Sequence, residues 1–453
     1  MSNSATAVHG GGFSRPTALR TAGLATALDT LEMVAKGHRV PVRLASRNVA
    51  LPDIQYDIDN FIAPVRTEEN GVVRFGPQQT TFLTATLTRD PTRADQASLA
   101  AAMAALETTY AFAAGGIFCF LSYGIPYFNR LNGDLVSSRM PKLSSDTSRP
   151  VLEEAVSSPT DVSPDNPAIV KQRFNVPARI ENNDMLITIR GDDAGFVADV
   201  VRWFGGSNTL AGRPVASPVP GLLDFTSSRA MFRANGLPRF VAGYHGLPFA
   251  PFVHPMSPMW LGFADQQVDG GGPAAITTFV GNSSAKVTTA AAGDYFDNGS
   301  IQHLSHDILD LHQWFDLDLH DNAGSDGTFL ERVQHMFRSN RPQQHRFGHL
   351  SALQRSSRAG DGTPMHVRMD GAGFDNMDVP DGSNQPKLQF TVFVPSSDFF
   401  ATMRAGQAGV DLRNRFTVAD TDGALERFMT ATRRQNFLAP PRRHRAFPLV
   451  ELS

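Results

Sequence analysis

The sequence predicts an α+β protein built from two similar halves. Three observations carry this. A strand–helix–strand pattern runs from 79 to 123, a strand–helix pattern returns over 184–206, and a further strand–helix closes the series at 387–404. The 38 glycines and 30 prolines among 453 residues favour turns and short strands over a helical bundle.

The first helix is expected over 16–36, opening with Pro16 and stopping at Gly37. "QTTFLTATLT" (79–88) alternates Leu83, Ala85 and Leu87 with threonines, which is the pattern of a half-buried strand. Leu99, Met103, Leu106 and Tyr110 follow at helical spacing, and Gly115 and Gly116 stop that helix. "IFCFLSY" (117–123) is an apolar strand, and 131–178 is a long loop rich in Ser, Pro and Asp. "DMLITIR" (184–190) is the next strand, followed by a helix over 192–206 with Phe196, Val197, Val200, Val201 and Phe204 on one face. In the second half, 277–283 reads as a weak strand. "SIQHLSHDILDLHQWF" (300–315) reads as a helix, because Leu304, Ile308, Leu311 and Phe315 share one helical face. "KLQFTVFV" (387–394) is a clear strand, and Ser396 or Ser397 is placed to cap the helix after it.

Length and composition set the outer bounds. At 41% hydrophobic and 19% charged residues the chain is ordinary globular material, long enough for two or three domains of ~150 residues each. The expected division is an N-terminal extension (1–44), a first domain (45–210), a second domain (211–433) and a tail (434–453). A net charge of −3 gives no electrostatic case for nucleic acid or an anionic membrane. The single cysteine, Cys119, excludes an internal disulfide framework and reads as a buried structural thiol. No apolar run reaches the ~18 residues of a membrane helix, and the N-terminus lacks an apolar signal core, so a cytoplasmic location is expected. The long terminal extensions point to a homo-oligomer.

Three places could carry chemistry. His303, His306 and His312 fall on one expected helix, with Asp307 and Asp310 nearby, where a solvated polar face competes with a metal site. His366 stands in "TPMHVRM" with Met365 and Val367 beside it and Arg368 two residues on. An imidazole in an apolar shell suits a haem iron, and a guanidinium suits a haem propionate, although a lone loop histidine is also a common structural residue. Asp265 in "WLGFADQQVDGGG" (260–272) sits between an apolar approach and three glycines, where a turn carboxylate is the plainer alternative.

The order of these segments resembles the dye-decolourising peroxidase superfamily. "NNDMLITIRGDDAGFVADVVRWF" (182–204) is similar to that family's early strand and helix. "LGFADQQ" (261–267) resembles its G-F-x-D-G segment, 297–315 its G-S-Y segment, "MHVRM" (365–369) its A-H-I-R segment, and 387–404 its late strand and helix. The resemblance implies two ferredoxin-like halves with haem b in the C-terminal one. It implies His366 as the iron ligand, Asp265 as the distal acid–base group, and Arg368, Phe263 and Gln266 as cofactor contacts. The implied activity is oxidation of an organic, aromatic or bulky, substrate by hydrogen peroxide.

Two departures stand out. Gln266 replaces the glycine after the acid, and no arginine lies between Arg368 and Arg404, where the family carries a distal arginine; Lys387 falls near that distance. A weak or specialised peroxidase is therefore expected. The alternatives are haem-dependent biosynthetic chemistry of another kind, or a haem-free binding or scaffold protein on the same fold.

Overall fold

The computed structural model describes residues 23–37, 50–62, 76–156, 173–255, 257–261, 273–281, 286–315, 363–408 and 428–453, together with the backbone of 66–68 and 71–73. The principal elements in chain order are α1 (Ala25–Gly37), β1 (Gln79–Leu87), α2 (Arg93–Thr109), β2 (Phe118–Tyr123), β3 (Met185–Gly191), α3 (Ala194–Phe204), β4 (Leu223–Phe232) and α4 (Leu237–Tyr244). They are followed by β5 (Ser300–Leu309), β6 (Val367–Asp375), β7 (Gln385–Val394), α5 (Asp398–Ala408) and β8 (Met429–Ala439).

The first half is β1–α2–β2–β3–α3–β4, with strand order β4-β1-β3-β2 and every neighbour antiparallel. This is the ferredoxin-like arrangement. The second half repeats it, in the order β8-β5-β7-β6, with α5 between β7 and β8. Local chemistry supports the helices. Thr92 and Asp95 form a reciprocal capping box on α2, and the Asp193 carboxylate accepts from Gly195 N and Phe196 N at the start of α3.

The two sheets join at both edges. β4 meets β6 through Phe232 and Ala372, and β2 meets β8 through Tyr123 and Leu438. The eight principal strands thus close into a ring. An apolar band of Phe82, Leu186, Met231, Leu304 and Phe437 fills part of its interior. Gln302 crosses that interior. Its amide donates to Thr188 (3.1 Å) and Thr391 (3.3 Å), and its oxygen accepts from Ser122 (2.6 Å). Outside the ring, α2 and α3 pack on the first sheet, with Leu99, Met103, Leu106, Val197, Val200, Val201 and Phe204 buried. Helix α1 lies against β4 and α3, where Ala27 N donates to Ser228 Oγ (3.2 Å).

Three local expectations are corrected. Residues 300–309 form strand β5, paired on one side with β7 and on the other with β8, and only Leu311–Trp314 is helical. Every residue of β5 is buried, so apolar residues at helical spacing coexist with burial of both faces. Residues 277–281 form no strand; Ala274–Thr277 is a 3-10 turn, and 282–283 lie outside the described residues. The loop expected over 131–178 contains a helix, Gly133–Arg139, capped by Asn132. The Ser397 hydroxyl accepts from Glu153 N (3.0 Å), tying the start of α5 to the preceding loop.

Candidate functional site

Strand β6 organises the candidate site. His366 immediately precedes it and is 2% exposed. Its ring packs on Phe399 of α5, with centroids 5.4 Å apart, and Met365 packs against the core beside it. Arg368 lies two residues on, and its Nε is 3.2 Å from Asp370 Oδ1. Register pairs Arg368 with Val392 of β7, and Val392 with His303 of β5. His303 and Arg368 therefore project from the same face of the sheet, two strands apart, which is ~10 Å between strand axes.

Asp265, Phe263 and Gln266 lie outside the described residues, but both flanks of their segment are anchored. Before it, the buried Trp260 donates its indole N–H to the Gly373 carbonyl (2.9 Å), near the end of β6. After it, Thr277 shares a hydrogen bond with Tyr56 (2.9 Å), and Tyr56 stacks on Phe393 at 3.9 Å. Phe393 pairs with Val367, the residue following His366. Trp260 and Thr277, described residues on either side of that segment, thus connect to the two ends of β6.

The histidines expected on one helical face separate. His303 and His306 are three apart on a strand and face opposite sides. His306 turns into the ring interior, where its Nδ1 meets Thr432 Oγ1 (2.9 Å) and its Nε2 lies 3.4 Å from Asp375. Lys387 donates to the Met377 carbonyl (2.6 Å) and sits 3.6 Å from Asp375. Arg229 pairs with Glu181, and Arg433 pairs with Asp378 and Glu181. Burial holds His306 below the usual imidazole range, against the pull of Asp375. Lys387 lies an odd number of residues from Val392 and so faces away from Arg368.

His303 faces outward, under the first turn of α5. Its Nδ1 is 2.8 Å from Asn436 Oδ1, and its ring lies 4.7 Å from that of Phe400. Burial pushes its pKa down to about 3, and the nearby Arg434 and Arg404 push the same way. Arg434 also lies over the Phe400 ring, at 5.5 Å. Sequence reasoning missed these two arginines. Arg434 is brought to this face by the antiparallel pairing of β8 with β5, and Arg404 comes from α5, which packs over it. Among the described residues no group of three His, Cys, Asp or Glu side chains is placed to hold a metal ion, and no helix is long and apolar enough to cross a membrane.

No curated protein matches the sequence. Solved structures with a similar fold include a dye-decolourising protein from Vibrio cholerae, at 13% identity and TM-score 0.47, covering 83% of this chain and 97% of that one. A dye-decolourising peroxidase from Bacteroides thetaiotaomicron has 14% identity and TM-score 0.45, covering 82% and 95%. The encapsulated DyP-type peroxidase from Mycobacterium smegmatis has 13% identity and TM-score 0.44, also covering 82% and 95%. A family model described as a family of unknown function (DUF7405) matches residues 152–441, more than half of the sequence, and the chain belongs to that family.

Proposed function

We propose that this member of the DUF7405 family is a haem-dependent oxidoreductase of the peroxidase type. The observation that carries the reading is the placement of His366. It is a buried imidazole at the head of a strand in the second ferredoxin-like half, and Trp260, five residues before Asp265 in sequence, donates to Gly373 of the same strand. The sequence resemblance sets His366 on the iron, Arg368 by the porphyrin carboxylates, and Phe263, Asp265 and Gln266 on the opposite side.

The donor chemistry fits such a group. Met365 and Phe399 give His366 an apolar shell, the surroundings in which an imidazole serves an iron. Arg368 supplies a cation on the same face. Haem b, when bound, would supply the redox chemistry that couples reduction of peroxide to oxidation of an organic substrate. Asp265 then has one task, to take the proton from the inner peroxide oxygen and return it to the outer, departing oxygen. The 35 positions between Arg368 and Arg404 contain no arginine to stabilise the charge on that oxygen. Loss of one such donor slows a step by ~10²–10³, so turnover with peroxide is slow.

The test is a hemin titration of the purified protein, followed by absorption and thermal melting. A one-to-one endpoint, a Soret band and a raised melting temperature are expected, with slow peroxide-dependent oxidation of an aromatic dye. No endpoint and no change in melting would end the haem reading. A haem protein that oxidises no dye with peroxide would favour the second reading, haem chemistry of another kind, which the missing arginine also favours.

A further inference from the structure

We infer that the rim of the strand ring, where β1, β3, β4 and β6 come together, binds a small oxyanion, a carboxylate or a phosphate, through Arg190 and Arg233. Such a site stands apart from the haem reading and survives its failure.

Register puts Arg190 inside the ring. It lies two residues beyond Thr188, whose hydroxyl bonds to Gln302 in the interior, and it pairs with Thr80 of β1 and Phe118 of β2. The residue is 6% exposed. Its Nε donates to Thr80 Oγ1 (3.1 Å), and its Nη1 reaches across to Met369 Sδ of β6 (2.6 Å). A hydroxyl and a thioether bring no negative charge. Asp192 acts on this guanidinium only from beyond ion-pair distance, and its Oδ1 accepts from Gln78 N (3.1 Å) instead. Burial and the charge of Arg233 both disfavour the charged form of Arg190. The buried Arg229, by contrast, is matched by Glu181. Arg190 is therefore a buried cation that no carboxylate among the described residues pairs with, a costly arrangement unless something else supplies the charge.

The rim has room for such a group and a second cation to hold it. Gly76, just before β1, is partly exposed, and a Cβ there would come within 2.9 Å of Arg190 Nη2. The absent side chain leaves space in front of that nitrogen. Arg233 directly follows β4, and its main-chain N–H donates to the Gln78 carbonyl (2.8 Å), which sets it on the same rim. Its Nε is buried with no hydrogen-bond partner among the described residues. Its Nη1 lies 4.0 Å from Asp370, whose carboxylate is nearer to Arg368, at 3.2 Å. Guanidiniums with N–H groups to spare select an oxyanion, which accepts from both and carries the missing negative charge, while a cation is repelled.

The experiment is titration of the full chain with inorganic phosphate and with benzoate at constant ionic strength, read by calorimetry and by melting temperature. One saturable site per chain is expected. Tighter binding of benzoate would identify an organic acid as the source of the oxyanion, and tighter binding of phosphate a free phosphate. Arg190→Gln should weaken binding by ~10-fold or more. Gly76→Ala covers the case in which that variant does not fold. Its methyl fills the space before Nη2 and meets only the movable end of a side chain, so it should fold and still lose the anion. Arg213→Gln, at an exposed position, should bind as the unmodified chain does. A response to both anions that never saturates, equal affinity in Arg190→Gln and Gly76→Ala, or an equal loss in Arg213→Gln overturns the site.

Discussion

The indole N–H of Trp260 donates to the carbonyl of Gly373 across 2.9 Å, between two buried residues 113 positions apart in sequence. This bond fixes where the chain departs towards Asp265. It also closes an aromatic cluster in which Trp260 lies about 6 Å from both Phe232 and Phe374. Trp260→Phe keeps most of the ring volume and removes the donor. The expected cost is ~1–3 kcal/mol, read as a lower denaturant midpoint. If the haem reading holds, peroxide turnover should fall further than hemin affinity. An unchanged midpoint would show that the bond contributes nothing net.

The ion pairs inside the ring make a second prediction. Arg229 is fully buried against Glu181, which also meets Arg433 at 3.4 Å. Glu181→Ala leaves the Arg229 charge unbalanced inside the ring. Breaking a buried pair from one side costs ~3–5 kcal/mol. Replacing Arg229 and Glu181 together with apolar residues should recover much of that loss in a double-mutant cycle.

His306 gives stability a pH dependence of known sign. Its neighbours are the acids Asp375 and Asp378, with Lys387 and Arg229 as cations. Burial holds its folded-state pKa below the ~6.5 of an exposed imidazole. Below that value the unfolded chain binds more protons, so stability falls as pH drops and is unaffected by this group above it. Urea midpoints measured from about pH 8 to pH 5 should show this slope, and His306→Gln should flatten it. An equal slope in both proteins would assign the effect to other groups.

Cys119 should behave as an inert thiol. It is buried in β2, and burial pushes its pKa up to about 12. Native protein at neutral pH should gain no mass from iodoacetamide, whereas urea-unfolded protein should gain one adduct. Rapid labelling of the native state would contradict the burial.

Much of the first half was legible in the sequence because its outer faces are apolar and its helices carry their own caps. Asp193 and the Val197, Val200, Val201 stripe announce α3 without tertiary help. Strand β6 was missed because Arg368, Asp370 and two glycines interrupt its apolar residues, whereas β4 and β8 were missed for one physical reason. The ring interior takes polar side chains, so Ser227, Arg229, Gln435 and Arg433 stand where an alternating strand would show hydrophobes. Strand β5 failed differently, since burial of both faces erased the period that separates strand from helix. At the candidate site, His366 and Arg368 could be singled out from neighbours in sequence. The surroundings of His303 could not, because Asn436, Arg434 and Phe400 reach it only through pairing across more than 90 residues.

Closure of the ring has a consequence for synthesis and handling. Strand β8 is the last of the eight along the chain, yet it alone bridges β2 and β5. Until it is in place, each of those strands presents unpaired main-chain donors and acceptors, which invite strand addition by a neighbouring molecule. Nascent chains paused before Met429, and fragments cut there by proteases, should therefore accumulate as insoluble aggregates, while the completed ring offers no such rim at that seam.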